Sequence, residues 1–295
     1  MPIIHYFTPI TFNNMICSVD GIVMDFIIRD PATREKLVSF LGNLPIIHHA
    51  DVVSWESFKP GTFRGQHSVK LDNGSSFWIG CALNGVSTDW AHHRVEFNPN
   101  RVAGNEVFRA VLGFIVENTR VVYRSVRRFD LAVDIPIERT NCFLVKDRRL
   151  YIERRHGQEL TQYLGSKSST VGRVKLYNKQ VESGLDYPLT RLELTLDPDT
   201  PYGKVNFPEV YFLDSLDLSA DDLKATDTEK FIVNALLQGV GSLNDLGRKT
   251  RAKVKTLLQE HVHFVEVPCE IYEAILSQVC QYLHGVPDVS NFSVS

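Results

Sequence analysis

No CxxC pair occurs in the chain, and its five cysteines (Cys17, Cys81, Cys142, Cys269 and Cys280) are an odd number scattered far apart. That argues against a cysteine-rich zinc site and against a disulfide scaffold, and a reducing cytoplasm is the expected compartment. Long apolar runs are missing as well: none reaches the roughly 18 residues that a membrane-spanning helix needs. The opening residues, MPIIHYFTP, hold neither a basic stretch nor a clean apolar one, so no secretion signal is read there. With 13 prolines and 18 glycines in 295 residues, a collagen-like or low-complexity chain is excluded. Neither sign of charge dominates, with 32 Lys and Arg against 35 Asp and Glu. What is present is ordinary globular composition, 43% apolar and 23% charged, enough for one large domain or two of moderate size.

The near-neutral total hides an asymmetry. Between Arg120 and Lys179 stand 14 Lys or Arg and 6 Asp or Glu, so this block carries +8 and the remainder −11. A basic block in an acidic chain is the footprint expected of a polyanion partner, although a plain solvated face reads the same way.

Apolar alternation predicts one or two strands over 15–28, then strands over 54–58, 66–71, 76–83 and 93–97. Asp72-Asn73-Gly74 is a hairpin turn between the middle pair. Further strands are predicted over 126–135, 149–154, 160–165, 173–179 and 190–196. Helical periodicity marks 31–41, where an Asp precedes an early Pro, and 106–120, 227–237, 245–260 and 270–283. The order repeats. Each half opens on a strand with two acids (Asp20 and Asp25, then Asp130 and Asp134) and ends on an Arg-x-Glu strand (Arg94 and Glu96, then Arg191 and Glu193). The expectation is an α+β fold with a duplicated antiparallel sheet over 1–214, its halves about 1–120 and 121–214. A loop over 197–214 leads to a mainly helical region, 215–295, for DNA binding or dimerisation.

Three strands carry charged residues on one face. In RRFDLAVDI, alternation puts Arg128, Asp130, Ala132 and Asp134 together, with the two carboxylates about 7 Å apart. In TRLELTL, Arg191, Glu193 and Thr195 oppose a leucine face. In GRVKLYNKQ, the residues Arg173, Lys175, Tyr177 and Lys179 fall in line, and neighbouring ammonium groups favour a phenolate and then a phosphorylated tyrosine. Each strand alone also reads as ordinary salt-bridged or packed residues. As a set they suggest hard oxygen ligands for Mg2+ or Mn2+ beside a tyrosine nucleophile. Attack of that tyrosine on a phosphodiester leaves a covalent phosphotyrosine and a free 3′-hydroxyl, with the bond energy kept for rejoining.

The run Tyr163-Leu164-Gly165-Ser166-Lys167-Ser168-Ser169, followed by Arg173-Val174-Lys175-Leu176-Tyr177-Asn178-Lys179, resembles the YLGS and YNK signature of the Rep_trans family of plasmid rolling-circle replication initiators. RFDLAVDI before it and TRLELTL after it fit the same order, and the resemblance covers roughly residues 15 to 260. It implies a sheet core related to a duplicated saddle-like unit, and origin-specific DNA nicking and rejoining. It places Tyr177 at the nucleophile position and Asp130, Asp134 and Glu193 where the acidic metal-site residues fall. Lys175, Lys179 and Arg191 then offset charge on the reacting phosphate. The implied partners are plasmid origin DNA, duplex and single-stranded or hairpin, a second copy of the chain, and a host helicase; no membrane is implied. The overall acidity departs from what such a protein would show. Two alternatives remain: a conjugative relaxase with the same chemistry, and a non-catalytic DNA-binding regulator in which Tyr177 only packs.

Other signals are secondary. Ser166 and Lys167 lie in a small-residue loop without the spacing of a nucleotide-binding phosphate loop, but suited to touch a DNA phosphate. Arg248, Lys249, Arg251 and Lys255 mark a basic helix start, read either as duplex contact or as a solvated face. Tyr151, Tyr163 and Tyr187 are candidates to stack on unpaired bases or to fill the core. His261-Val262-His263 matches a metal-binding strand pattern, yet it follows Tyr177 by more than eighty residues and is read as strand pairing. The doublets His48-His49 and His92-His93 are read as structural.

Overall fold

The computed structural model describes residues 8–84, 91–157, 159–166, 171–213, 224–237, 243–257 and 262–284. After a short β1 (Ile10–Phe12) comes β2 (Met15–Ile27), a long alternating strand whose Cys17, Val19, Ile22, Met24 and Phe26 are buried. Helix α1 (Pro31–Ile47) starts where Asp30 accepts from the Thr33 backbone N–H at 2.9 Å, with Pro31 in the first turn. It runs past the expected end at Leu41 because Leu44 extends the buried stripe of Leu37 and Leu41, and Pro45 is accommodated within its last turn.

Strands β3 (Asp51–Glu56), β4 (Phe63–Lys70), β5 (Ser76–Leu83) and β6 (His92–Phe97) follow as an antiparallel meander. After a one-turn helix α2 (Pro99–Val102), helix α3 (Glu106–Asn118) lays Phe108 against Phe77 and Phe97, ring centroids 5.3 and 4.8 Å away. The second half comprises β7 (Arg124–Ile135), β8 (Cys142–Leu144), β9 (Tyr151–His156), β10 (Glu159–Leu164), β11 (Val171–Asn178), α4 (Lys179–Ser183) and β12 (Thr190–Leu196).

The sheet order is β3-β4-β5-β6-β2-β7-β12-β11-β10-β9, with β1 paired to β2. Read outward from the central β2-β7 pair, both arms have the same plan: first strand, last strand, then back through the meander. The duplication expected from sequence is therefore written into the strand order, and the fold is α+β. It extends to register, since Asp25 pairs with Arg94 in one half as Asp134 pairs with Arg191 in the other.

The chain beyond β12 does not stand apart. β13 (Val210–Leu213), inside the stretch expected to be loop, pairs with β8 on one side and β14 (Val262–Phe264) on the other. This small sheet crosses the boundary expected near residue 215. Helices α5 (Asp227–Leu237) and α6 (Arg248–Leu257) share a small core with it through Tyr211, Val233, Leu236 and Val254. Helix α7 (Cys269–His284) buries Tyr272, Ile275 and Val279 in the main core, against β2 and β7. Among the described residues no helix is long and apolar enough to cross a membrane.

Candidate functional site

Strands β7, β12 and β11 lie side by side, and alternation sorts their residues. Leu131, Val133, Leu192, Leu194, Leu196, Val174 and Leu176 go into the core. The other face receives the charged set, and register lines it up: Asp134 opposite Arg191 opposite Tyr177, and Ala132 opposite Glu193 opposite Lys175. On β2 the pairing slips between Val19 and Gly21, so Asp20 is an extra residue in a bulge. A Cβ on Gly21 would stand 2.6 Å from Asp130 Oδ2, so any larger residue there would displace that carboxylate from its present position.

Arg191 is buried and donates on three sides. Its Nε and Nη2 form a two-pronged bond to Asp134, both at 2.6 Å, and Nη1 reaches Asp20 Oδ1 at 2.6 Å. Burial alone would lower the guanidinium, but the Asp134 and Asp20 carboxylates outweigh it and hold it charged. Asp20 also accepts from Asn98 Nδ2 at 3.0 Å. Burial would raise Asp20; Arg191 and Lys179 reverse that and keep it below the ordinary carboxylate value. Asp130 accepts from the Thr195 hydroxyl at 2.7 Å, and burial pushes it up against the pull of Thr195 and Arg128.

The Tyr177 hydroxyl donates to Glu193 Oε1 at 2.6 Å and approaches Glu182 Oε2 at 3.2 Å. Lys175 Nζ sits 3.6 Å from the centre of the Tyr177 ring and 3.5 Å from Glu193 Oε2. Lys179 is buried and paired with Glu182 on α4, whose start is capped by Asn178 and whose end is Gly184 in the left-handed region. Burial raises Glu193 to about 7; Lys175 and the Tyr177 hydroxyl oppose the rise and Asp20 adds to it.

Several expectations are corrected by these contacts. The phenol is not drawn toward phenolate by its lysines: burial first, then Glu193 and Glu182, push it well above its ordinary value. Only 4% of Tyr177 is exposed. Asp134 was expected among metal ligands, but both its oxygens are spent on Arg191. Arg191 and Lys179, expected as free charges for a phosphate, are each tied to acids. Among the described residues no three Asp, Glu, His or Cys side chains are placed to hold a metal ion together. The set Asp130, Asp134 and Glu193 thus does not fit an ion as it stands. Two residues of the site carried no functional assignment from the sequence. Asp20 was signalled by the Asp-Gly step inside a strand, a mark of a bulge, and Glu182 by its place three residues after Lys179.

Of the other candidates, Arg173 lies over the Tyr163 ring at 5.6 Å, with Arg154 at the same distance. Ser166 is exposed just beyond β10, and Lys167 lies outside the described residues. On α6, Arg248 and Lys249 are exposed, and Arg251 donates to the Leu246 carbonyl at 3.2 Å. Lys255 is instead paired with Glu209 and packed 4.7 Å over Tyr211, which removes it from an open basic surface. Tyr151 donates to Glu153 and Tyr187 is exposed. His263 of β14 stacks on its register partner Phe212 of β13, as strand pairing requires; His261 lies outside the described residues.

No protein-family model matches the chain, and no curated protein matches it. Among solved structures it is similar to a rolling circle replication initiator protein from Geobacillus stearothermophilus. The identity is 14%, the TM-score 0.36, and the match covers 86% of this chain and 88% of that one. Folds that overlap this loosely carry no chemistry from one chain to the other.

Proposed function

We propose that this face is a tyrosine DNA strand-transfer site, used for origin-specific nicking and rejoining in plasmid rolling-circle replication. The observation that carries the reading is the Tyr177 hydroxyl bonded at 2.6 Å to a carboxylate whose pKa is about 7. An acceptor of that strength suits proton transfer near neutrality. In the forward step Glu193 takes the phenolic proton as the Tyr177 oxygen bonds to phosphorus and the bond to the 3′ oxygen breaks. The leaving 3′ oxygen takes a proton from solvent water and departs as the hydroxyl, and rejoining runs the same transfers backward. Lys175, above the ring and beside Glu193, is placed to offset charge on the phosphoryl oxygens. The Asp134–Arg191–Asp20 bridge fixes the strands that position both groups. Origin DNA, a second copy of the chain and a helicase as partners rest on the motif resemblance and belong to this proposal.

A second reading draws support from the burial of Tyr177: a DNA-binding regulator on the same fold, with the ring only packing. A supercoiled plasmid bearing the cognate origin separates the two. The wild type should give nicked circles and a covalent protein–DNA adduct, and Tyr177→Phe should give neither while still binding. Assays carry Mg2+ or Mn2+, with an EDTA arm that reads whether cleavage needs a divalent ion at all. Robust nicking by Tyr177→Phe would overturn the assignment, and no adduct from the wild type would favour the regulator.

A further inference from the structure

The two halves of the sheet are built alike, yet one lacks the nucleophile. Register matches Arg94 and Glu96 of β6 to Arg191 and Glu193 of β12, and the Asp25–Arg94 pair, at 2.6 and 3.0 Å, repeats Asp134–Arg191. Opposite Arg94 stands Gly80, where the other half has Tyr177; opposite Glu96 stands Trp78, where the other half has Lys175. The space above Gly80 is filled, since a Cβ there would meet Trp78 at 2.4 Å and Phe63 at 2.5 Å. The first half has aromatic surface where the second has a tyrosine and a lysine.

Beside Trp78 opens a cavity of about 320 Å3, reached also by Ser68, Glu96 and Arg128, one wall of which is Asp20 and Asp130 of the candidate site. That is the lower end of the roughly 300–1,000 Å3 range of small-ligand clefts. Arg128 Nε is buried and, among the described residues, has no hydrogen-bond partner. An indole is a stacking surface, a carboxylate and a hydroxyl accept from an amino group, and a buried guanidinium N–H seeks an acceptor. A nucleobase meets all three needs.

We propose that this cavity is a base subsite, holding one unpaired nucleobase with an amino edge, such as cytosine, from the strand that presents its phosphate to Tyr177. The proposal rests on the strand-transfer reading for the identity of the strand, but the binding it predicts is independent of cleavage. Fluorescein-labelled twelve-mers of deoxycytidine and of thymidine, titrated by anisotropy, test it. Wild type and Tyr177→Phe should prefer deoxycytidine by about tenfold. Trp78→Ala should lose about tenfold in affinity, and Glu96→Gln should erase the preference while keeping thymidine binding. Should Trp78→Ala melt below the assay temperature, Glu96→Gln decides. A Trp78→Ala protein of wild-type melting temperature that binds as the wild type does would overturn the subsite, as would a preference intact in Glu96→Gln. The expected pattern without a covalent adduct would remove the nicking reading and leave the subsite.

Discussion

Tyr177 and Glu193 share a hydrogen bond, and the surroundings decide how many protons the pair holds. Burial disfavours either charge, so the resting pair has a neutral phenol beside a carboxyl near half-ionisation at neutral pH. If Glu193 must be ionised to accept the proton, single-turnover adduct formation should climb through about pH 7 and level off above it. Glu193→Gln keeps the shape but cannot take the proton; its rate should fall by roughly 10²–10⁴-fold and lose that climb. A separate titration sits at His93. It is 2% exposed, stacked on Phe26 at 5.3 Å, and among the described residues neither ring nitrogen has a hydrogen-bond partner. Burial, with Arg34 and His92, lowers it from 6.5 to about 4. The unfolded chain therefore binds a proton that the native one refuses between about pH 6.5 and 4, and stability from this group falls as pH drops through that window. Glu193, raised from 4.5 to about 7, has the opposite slope, native protonated where unfolded is ionised. The two partly cancel in the wild type, so the difference is what informs. Relative to wild type, His93→Phe should gain up to about 3 kcal/mol between pH 7 and pH 4, read from urea midpoints.

At the scale of the element, the strands that build the site were readable because period-two alternation separates leucines from charges over seven or more residues, as in Thr190–Leu196 and Arg124–Ile135. Which residues share a face follows from that alone. Which of them touch does not, because register between strands distant in sequence decides it; so Asp134 was open to a metal role until Arg191 was found opposite. The five-residue α4 and the three- and four-residue β8 and β13 are too short to show a period, and their residues went unread as structure. Helix α6 shows the same limit. Its basic run was visible, but not that Lys255 is spent on Glu209 and two aromatic rings. The variants should therefore divide. Arg248→Ala with Lys249→Ala should weaken duplex binding evenly across sequences and reduce the slope of log K against log salt by about 2. Lys255→Ala should leave that slope nearly unchanged and lower the melting temperature, as calorimetry would show.

At the scale of the whole molecule, the duplicated order sets two unlike halves side by side: one carries the tyrosine, the other an aromatic cavity. Charge is uneven as well, with the larger basic block, 120–179, ending at the tyrosine strand and its lysines, and a shorter basic run on α6. The repeat was legible because its acid-rich and Arg-x-Glu strands recur. The role of the C-terminal helices was not, since amphipathic periodicity says that a helix buries a face but not against what. Here the answer is the central strands. Tyr272, Ile275 and Val279 are fully buried against β2 and β7, and the Tyr272 and Tyr202 hydroxyls donate to the Thr200 and Val267 carbonyls at 2.7 and 2.8 Å. A sheet domain ending at residue 214 would bare that surface and leave β8 and β13 without β14. The 1–214 fragment should accordingly show no cooperative thermal transition by circular dichroism. Ile275→Ala in the full chain, which removes only part of the contact, should cost about 2–5 kcal/mol by urea unfolding. A fragment that melts as sharply as the full chain would make the helices an independent appendage, and the sheet a domain that folds alone.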